Sequence, residues 1–599
     1  MSRAFSLRSC AFALLFYLLL TLALTWPVVA HLTTRVPGDL GDPLLNMWIL
    51  GWDLDHLARF GSGELGALHG LWNTNIFYPT PLTLAYSEHL LPLAVQVLPV
   101  YLLSHSLVLC YNLLFLSTFV LSALGTYLLA RALTQNAPAA FVAGLFYGFA
   151  LYRLVHLGHL QVLSSQWMPF ALLGLWRFAE TRRILPLIGA ALALLVQGLS
   201  CGYYLFFFPP FAVAFALWAL WRHERLGDVV CWRALVLAAA GVVLAALPFV
   251  LPYARVHATG VIARTPQEIA LYSADVTGCL RVDRAVRLWG GPRGDGTIPN
   301  EGDIFPGLVP LLLATLGFVL ALRNGWSTTA TLRWRVVLGQ PAVAFALLAV
   351  AATSLAFGPT VRFAGHALVP GPYALLSHLL PGMNSLRVPA RFAMILALFV
   401  ALAAAEGARA LAARWRGLVL LTCAALFLVE CTPAPLRTNQ ILRDHGLRKL
   451  PALELPAPPI YADVARLPGE AILIELPIGA LAHDVRAVFY STVHWRRLVN
   501  GYSGAEPRGY ALRAAALLQA PTQPETAWAA LTASGATHVL NHEDAWRRPL
   551  GPPVSDWLAS HGARRIASAG GDVLFELPAA EHRNDPDSVS PQPDSIQAQ

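Results

Sequence analysis

The chain has 599 residues, of which 56% are hydrophobic and 13% are charged, and its mean hydropathy is +0.55. Soluble domains carry about 25% charged residues, so this composition excludes an ordinary soluble enzyme and indicates a membrane protein. The net charge of +8 is not gathered into a basic stripe with aromatic residues, which argues against nucleic-acid binding; arginines in cytoplasmic loops account for it.

The first apolar run follows Arg3 and Arg8 and ends near Ala30. A cleaved signal peptide has the same pattern of basic residues, apolar run and small residues. Because most of the chain that follows is also apolar, we expect an uncleaved first span. Arg3 and Arg8 then keep the N-terminus in the cytoplasm.

Apolar runs long enough to cross a bilayer continue almost without interruption to residue 433. They predict a polytopic α-helical membrane protein with about 11–12 spans of about 20 residues each. The predicted spans lie near residues 10–30, 107–130, 138–154, 161–179, 184–200, 203–221, 233–254, 304–322, 336–357, 391–413 and 417–433.

The shorter run 89–104 contains two prolines and is open to two interpretations, a further span or a helix at the membrane interface. Cytoplasmic loops carry an excess of Lys and Arg, and this excess orients the spans. All the arginine clusters lie in the cytoplasm if 89–104 does not cross. The loops 31–88, 255–303 and 358–390 then face outward, and long loops of this kind tend to be functional.

The composition changes after residue 433. Residues 434–459 are rich in proline and predict a linker, and residues 460–578 predict a small extracytoplasmic α/β domain. Residues 579–599 are polar and predict a disordered tail. Strand-like runs occupy residues 471–476, 537–540 and 572–577, and an alanine-rich helical run occupies 511–518.

Acidic residues stand out in the first outer loop. Asp39 and Asp42 lie three residues apart in a turn rich in Pro and Gly. Asp42 precedes Pro43, which suits the N-cap of the next helix, whereas capping does not explain Asp39. A carboxylate at this position can deprotonate an acceptor hydroxyl or bind a divalent cation. Glu88 and His89 end the same loop, where a charged pair either reaches the interface or has a functional role.

A second polar group lies between two predicted spans and contains Arg153, His156, His159 and Gln161. If this segment is helical, the two histidines share a face, and their spacing permits metal binding. The alternative is a polar turn at the membrane interface. Tyr203 lies near the same outer end, where an aromatic residue either belongs to the interfacial belt or stacks on a sugar ring.

Arginines on the outward side run against the usual distribution of charge in membrane proteins. Arg387 and Arg391 precede a predicted span, and Arg255 ends another. Guanidinium groups match phosphate oxygens, so a lipid-linked phosphate accounts for them; anchoring to lipid headgroups is the alternative. Glu301 lies in an acidic outer loop, and helix capping does not explain it.

This arrangement resembles the C-type glycosyltransferase superfamily (GT-C), polytopic enzymes that take sugars from polyprenyl-phosphate carriers. The resemblance covers residues 10–433. It implies that an acidic residue of the first outer loop, Asp39 or Asp42, acts as a base or binds a metal. It also implies that outer-face arginines, here Arg387 or Arg391, hold the donor phosphate. Residues 380–392 and 490–504 are similar to recurring segments of bacterial membrane proteins grouped with these transferases.

The leading hypothesis is therefore a membrane glycosyltransferase that uses a lipid-linked sugar donor, with membrane lipids around it and a glycan, lipid or protein as acceptor. No cofactor is required by the sequence, and a divalent cation stays open. A transporter is the first alternative, and it predicts charges in mid-span and discontinuous helices in paired halves. A non-catalytic assembly protein is the second. Among the carboxylates we favour Asp39 slightly, because capping accounts for Asp42; Glu88 is the next candidate.

Overall fold

The computed structural model describes residues 7–283, 285–290, 300–325, 334–380, 382–415, 418–440, 453–546 and 553–578. The predicted tail 579–599 lies outside these residues, as does part of the predicted linker 434–459. The chain forms two compact units. The first comprises Met1–Thr74, Pro81–Leu442 and Ser503–Ala505, and the second comprises Asn75–Thr80, Arg443–Tyr502 and Glu506–Gln599.

The first unit is helical throughout most of its length, as its long apolar runs require. Its α-helices are Leu7–Leu24, Asp42–Gly61, Leu91–Ser104, Leu107–Thr134, Ala137–Gly148, Leu151–Val155, Leu160–Leu163, Trp167–Thr181, Ile184–Ser200, Gly202–Phe207, Pro209–Arg222, Val229–Ala258, Pro266–Leu271, Leu308–Gly325, Trp334–Leu338, Pro341–Ala356, Pro372–Leu379, Ala393–Trp415 and Leu418–Glu430. Loop 358–390 also holds an antiparallel hairpin of β1 (Thr360–Phe363) and β2 (His366–Pro370).

Within the described residues, 5 helical segments are long and apolar enough to cross a membrane, consistent with a membrane protein. They are Leu7–Leu24, Leu107–Thr134, Ala137–Val155, Val229–Ala258 and Pro389–Ala412. Shorter apolar helices include Leu91–Ser104, within the run that the sequence left open. The number of spans and their sidedness stay predictions.

Two predicted spans, 138–154 and 161–179, are not continuous helices. The first is broken between Gly148 and Leu151, and the second between Leu163 and Trp167. Nothing in the sequence indicated these breaks, because uniform apolarity hides a break in the backbone. The break leaves carbonyl groups without helical partners, and such groups are tolerated at membrane depth only when protein surrounds and satisfies them.

Arg153 satisfies the backbone at this break. Its guanidinium is fully buried and donates to the carbonyls of Tyr147 at 3.2 Å and Leu163 at 3.1 Å. It also donates to the hydroxyls of Ser122 and Ser165. Arg153 thus holds the broken segments together by hydrogen bonds, and it is buried, whereas its position in the sequence suggested a polar turn at the membrane interface.

Close helix packing in the first unit depends on small residues. A Cβ at Gly407 would lie 2.0 Å from the carbonyl oxygen of Leu313, and a Cβ at Gly317 would lie 2.9 Å from the nitrogen of Gly407. The helices Leu308–Gly325 and Ala393–Trp415 therefore approach at backbone distance, as small residues allow in membrane proteins.

The second unit is an α/β domain around a five-stranded sheet. The strands are β3 (Ile472–Leu476), β4 (Arg497–Leu498), β5 (His538–His542), β6 (Arg564–Ala569) and β7 (Asp572–Glu576). Their order in the sheet is β4-β3-β5-β7-β6. Strand β3 runs parallel to β4 and β5, whereas β7 is antiparallel to β5 and β6. The helices are Ile460–Ala465, Leu481–Tyr490, Tyr510–Leu518, Pro524–Thr532 and Val554–Ser560.

The three strand-like runs of the sequence coincide with β3, β5 and β7, and the predicted helical run coincides with Tyr510–Leu518. The segment Asn75–Thr80, far away in the sequence, lies beside β4 in this unit. The nitrogen of Leu498 donates to the carbonyl of Asn75 at 2.7 Å, and that of Tyr78 donates to the carbonyl of Leu498 at 3.0 Å.

Candidate active site

Six predicted site residues of the first unit form a continuous series of contacts, which we call the polar row: Asp42, His159, His156, Glu301, Arg391 and Tyr203. At one end, Oδ2 of Asp42 lies 3.2 Å from Nε2 of His159. Nδ1 of His159 lies 3.5 Å from Nδ1 of His156. Nε2 of His156 lies 3.7 Å from Oε2 of Glu301.

The other end of the polar row is a buried ion pair. Nη2 of Arg391 donates to Oε1 of Glu301 at 2.9 Å, and Nε donates to Oε2 at 3.3 Å. This two-pronged pairing is the strong form of an arginine–carboxylate contact. The guanidinium also lies over the ring of Tyr203, 4.3 Å from its centroid. The aromatic residue thus stacks on an arginine in this structure.

Loops and helix ends supply the members of the polar row. Asp42 is the first residue of the helix Asp42–Gly61, and Arg391 lies in the 3₁₀ turn Pro389–Phe392. His156 and His159 lie in the turn between the helices that end at Val155 and begin at Leu160. The two histidines therefore meet through a turn and not through a shared helix face.

Burial divides the polar row into two parts. His156 is 1% exposed and Arg391 is 5% exposed, whereas the side chains of Asp42 and His159 are 30% and 33% exposed. Burial lowers the pKa of His156 to about 3, so this imidazole is neutral at physiological pH. Burial raises the pKa of Glu301, but the charge of Arg391 outweighs it and lowers the pKa overall. Solvent thus reaches Asp42 and His159. Glu301 and Arg391, further along the polar row, form a buried ion pair.

Capping does not account for Asp42. The N-cap position is occupied by Gly41, and Asp42 is already inside the helix. Asp39, in contrast, is exposed and its Oδ1 accepts the backbone N–H of Gly41 at 2.8 Å, which shapes the turn before the helix. The preference for Asp39 rested on Asp42 being the cap, so that preference loses its basis.

Glu88 has a structural partner. Its Oε2 accepts the backbone N–H of Gly202 at 2.6 Å. Burial raises the pKa of this carboxyl, opposed by Gly202 and by the charge of Arg391. His89 accepts the backbone N–H of Leu91 at 3.2 Å through Nδ1, and burial lowers the pKa of its imidazole to about 4. Both residues therefore hold their loop against the helices that follow.

Gln161 lies beside the polar row. Its Oε1 accepts Nδ2 of Asn46 at 3.1 Å, and Asn46 lies one helical turn after Asp42. Further along the same face, Asp53 is fully buried, and neither carboxyl oxygen has a hydrogen-bond partner within the described part of the chain. We did not single out Asn46 or Asp53 from the sequence. Their spacing from Asp42, by 4 and 11 residues, is the helical period that points to them.

Arg387 and Arg255 occupy different surroundings from Arg391. The side chain of Arg387 is 38% exposed, lies 3.8 Å from Oε1 of Glu268, and covers the ring of Tyr272 at 4.7 Å. Arg255 is exposed near the end of its helix and forms no ion pair with a described residue. Arg387 is therefore a preorganised and accessible cation, and Arg391 a buried one.

The described residues do not offer a set of three protein ligands for a metal ion. No three His, Cys, Asp or Glu side chains among them are arranged to hold one. Asp42 and His159 form a pair, and Asp39 is bonded to its own turn. The sequence left open whether the protein binds a divalent cation, and among the described residues there is no group of three such ligands for one.

A search of curated proteins finds no match to the chain. One family model does match it, over residues 64–431, and its description is "Domain of unknown function (DUF6311)". The matched segment includes His156, His159, Glu301 and Arg391 and begins after Asp42. Because the match covers more than half of the 599 residues, the chain belongs to the DUF6311 family.

Proposed function

We propose that the protein is a membrane glycosyltransferase that moves a sugar from a polyprenyl-phosphate carrier to an acceptor hydroxyl. We place it in the bacterial inner membrane, with the acceptor on the extracytoplasmic side. The observation that carries the proposal is the contact between Asp42 and His159 at the solvent-accessible end of the polar row. A half-exposed carboxylate held by an imidazole is a suitable general base.

In the proposed reaction the acceptor hydroxyl attacks the anomeric carbon of the donor sugar, and Asp42 takes its proton. A new carbon–oxygen bond forms as the bond from the anomeric carbon to the phosphate oxygen breaks. The polyprenyl phosphate leaves with the electron pair. Arg387 stabilises the negative charge that grows on the phosphate, because it is accessible and held in place over Tyr272.

Arg391 and Glu301 act as positioning residues in this proposal. Their ion pair is buried next to His156. We propose that it thereby holds His156, and through it His159, in position. A fixed base needs no reorganisation at the moment of proton transfer, which is how a preorganised site lowers a barrier.

The test is consumption of the donor by purified protein in polymer nanodiscs. A panel of short-chain polyprenyl-phosphate hexoses and pentoses, labelled in the sugar, is offered with membrane-derived acceptors. We expect loss of label from at least one donor, and we expect Asp42→Asn to slow that loss by roughly 10²–10⁴-fold, the usual contribution of a general base. Equal rates for wild type and Asp42→Asn would refute the role of Asp42, and no consumption of any donor would count against the transferase.

A transporter is the second candidate, and the broken helices around Arg153 favour it. Discontinuous helices often form substrate sites in transporters. In that case the labelled lipid or its headgroup should cross the bilayer of sealed vesicles that contain the protein, with no cleavage of the sugar–phosphate bond. Cleavage without flux supports the transferase, and flux without cleavage supports the transporter.

A further inference from the structure

The second unit contains a cavity of about 570 Å³ at the carboxyl ends of the parallel strands β3 and β5. Ligands of open α/β sheets commonly bind at this edge. The volume is that of a small-molecule site, for which about 300–1,000 Å³ is typical. Residues that line the cavity include Tyr461, Glu475, His483, Arg486, Tyr490 and His542.

One wall of the cavity is an ordered polar group centred on His542. Its Nδ1 lies 2.8 Å from Oδ1 of Asp572, and its Nε2 lies 3.0 Å from Oε2 of Glu475. Tyr461 donates its hydroxyl to the same Glu475 oxygen at 2.8 Å. The strand pairing explains this meeting, because His542 ends β5 and lies opposite Asp572, the first residue of β7.

Two buried atoms of lining residues have no hydrogen-bond partner within the described residues: Oε1 of Glu475 and Nε2 of His483. Glu475 is 2% exposed and His483 is 6% exposed. Buried polar atoms are normally paired, and leaving one unpaired costs free energy. The cavity itself is lined by a carboxylate, imidazoles, a guanidinium and tyrosine hydroxyls, and such a mixture of donors and acceptors suits a ligand with hydroxyl groups, which can both donate and accept.

Charge selects among such ligands. Burial lowers the pKa of His542, but its bonds with Asp572 and Glu475 raise it to about 10, so this imidazole is a cation. Leaving aside the exposed Glu454 and Asp544, the lining has two carboxylates, Glu475 and Asp572, which match the two cations His542 and Arg486. A charged ligand would leave a buried charge without compensation, whereas a neutral one would not. The exposed carboxylates of Glu454 and Asp544 give the whole lining more carboxylates than cations. This excess disfavours an anion, and a cationic probe tests the other sign of charge.

Aromatic rings complete the cavity. Tyr461 and Tyr490 lie with ring centroids 4.8 Å apart and an angle of 36° between their planes. The cavity is therefore lined by two aromatic rings as well as by the polar groups of Glu475, His483 and Arg486. We propose that this cavity binds a neutral saccharide, held by Glu475, His483 and Arg486.

That the hydroxyl-rich ligand is a saccharide rests on the proposed function, whereas the cavity and its charge balance do not. The test uses the full-length protein in polymer nanodiscs, because maltoside and glucoside detergents carry sugar headgroups. Saturation-transfer NMR and calorimetry measure binding of glucose, galactose, mannose, arabinose and N-acetylglucosamine. Choline and glucuronate serve as cationic and anionic probes.

We expect saturable binding of at least one neutral sugar, and no saturable binding of choline or glucuronate. His483→Ala and Glu475→Gln should weaken that binding about tenfold or more, the effect of losing a hydrogen bond in a buried site. Glu525→Gln is the matched control, since its side chain is 86% exposed. His483→Ala keeps the test decisive if Glu475→Gln does not fold, because no described hydrogen bond is lost through Nε2 of His483.

The outcomes separate this proposal from the transferase. Sugar binding that is unchanged in Asp42→Asn and lost in His483→Ala supports the cavity, whether or not donor is consumed. Donor consumption without any sugar binding that depends on His483 overturns the cavity proposal alone. Saturable binding of choline that depends on Glu475, with none of any sugar, overturns it in favour of an organic cation.

Discussion

Nε2 of His159 lies 3.2 Å from Oδ2 of Asp42, whereas Oδ1 of Asp39, three residues earlier, is bonded to the backbone N–H of Gly41. We therefore expect Asp42→Asn to lower transfer by roughly 10²–10⁴-fold. Asp39→Asn is the matched control, and it should keep most of the activity because an amide oxygen can still accept the Gly41 N–H. Initial rates of donor consumption measure both. A large loss in Asp39→Asn with none in Asp42→Asn would reverse the assignment.

Loss of one member of the Glu301–Arg391 pair should destabilise the first unit. Glu301→Gln leaves the Arg391 guanidinium buried without a counter-charge, and breaking a buried pair in this way costs about 3–5 kcal/mol. Arg391→Gln should cost a similar amount, and the double variant less than the sum of the two. Thermal unfolding in nanodiscs completes the double-mutant cycle. Additive losses in the double variant would show that the pair is not coupled.

Arg387 and Arg391 should differ in steady-state kinetics. The side chain of Arg387 is 38% exposed, so Arg387→Gln should raise the donor KM several-fold by removing a phosphate contact. It should also lower kcat, because the charge that grows on the leaving phosphate loses a cation. Arg391 is buried on Glu301, so Arg391→Gln should lower kcat with little change in the donor KM. The exposed Arg281 provides a control with the same loss of charge. An unchanged donor KM in Arg387→Gln would reduce this residue to a headgroup anchor.

His542 should make the second unit's stability depend on pH. Burial lowers its pKa, but Asp572 and Glu475 raise it to about 10, above its ordinary value of 6.5. Its contribution is therefore fully present below about pH 6.5 and is lost as pH rises through 10. His542→Gln should unfold more easily than wild type at pH 6, by roughly 3 kcal/mol. The difference should shrink toward pH 10.

Calorimetry of full-length protein from pH 6 to pH 10 measures this difference. His561→Gln removes an imidazole elsewhere in the second unit, where His561 contacts the carbonyl of Trp557 at 2.9 Å. The difference in stability between His561→Gln and wild type should not shrink in the same way toward pH 10. A His542→Gln difference that stays constant over this range would contradict the ion-pair assignment.

Topology is open to a direct test. We expect the second unit to be extracytoplasmic, because the arginine clusters of the first unit are predicted to lie in the cytoplasm. An alkaline phosphatase fusion after Ile460 should be active, and a green fluorescent protein fusion there should be dark. Fusions after Arg131 should behave in the opposite way. Fluorescence after Ile460 would place the second unit in the cytoplasm.

Local signals in the sequence were sufficient for part of this structure. Runs of β-branched and aliphatic residues predicted β3, β5 and β7, because buried strands have that composition. They did not predict β4, which is two residues long, or β6, whose residues are mostly exposed. The break after Gly148 was missed because its flanks are apolar and buried like the helices on either side.

The candidate residues could be named from the sequence, but their pairing could not. Glu301 and Arg391 are 90 positions apart, and no periodicity links them. Capping of the helix at Asp42 was assigned to the wrong residue, because Pro43 suits the first helical turn whether Gly41 or Asp42 is the cap. Asn46 and Asp53 follow Asp42 at helical spacing and are polar residues in an apolar helix, and this combination was the signal that could have identified them.

Arg153 has a consequence for how the chain is made. Its four acceptors come from three consecutive stretches, at Ser122, at Tyr147, and at Leu163 and Ser165. If Arg153 left the translocon before the three stretches had packed together, its guanidinium would lie among lipid tails without hydrogen-bond acceptors. Residues 107–181 are thus expected to enter the bilayer as one block, and biogenesis of the protein should stall when Arg153 loses this set of acceptors.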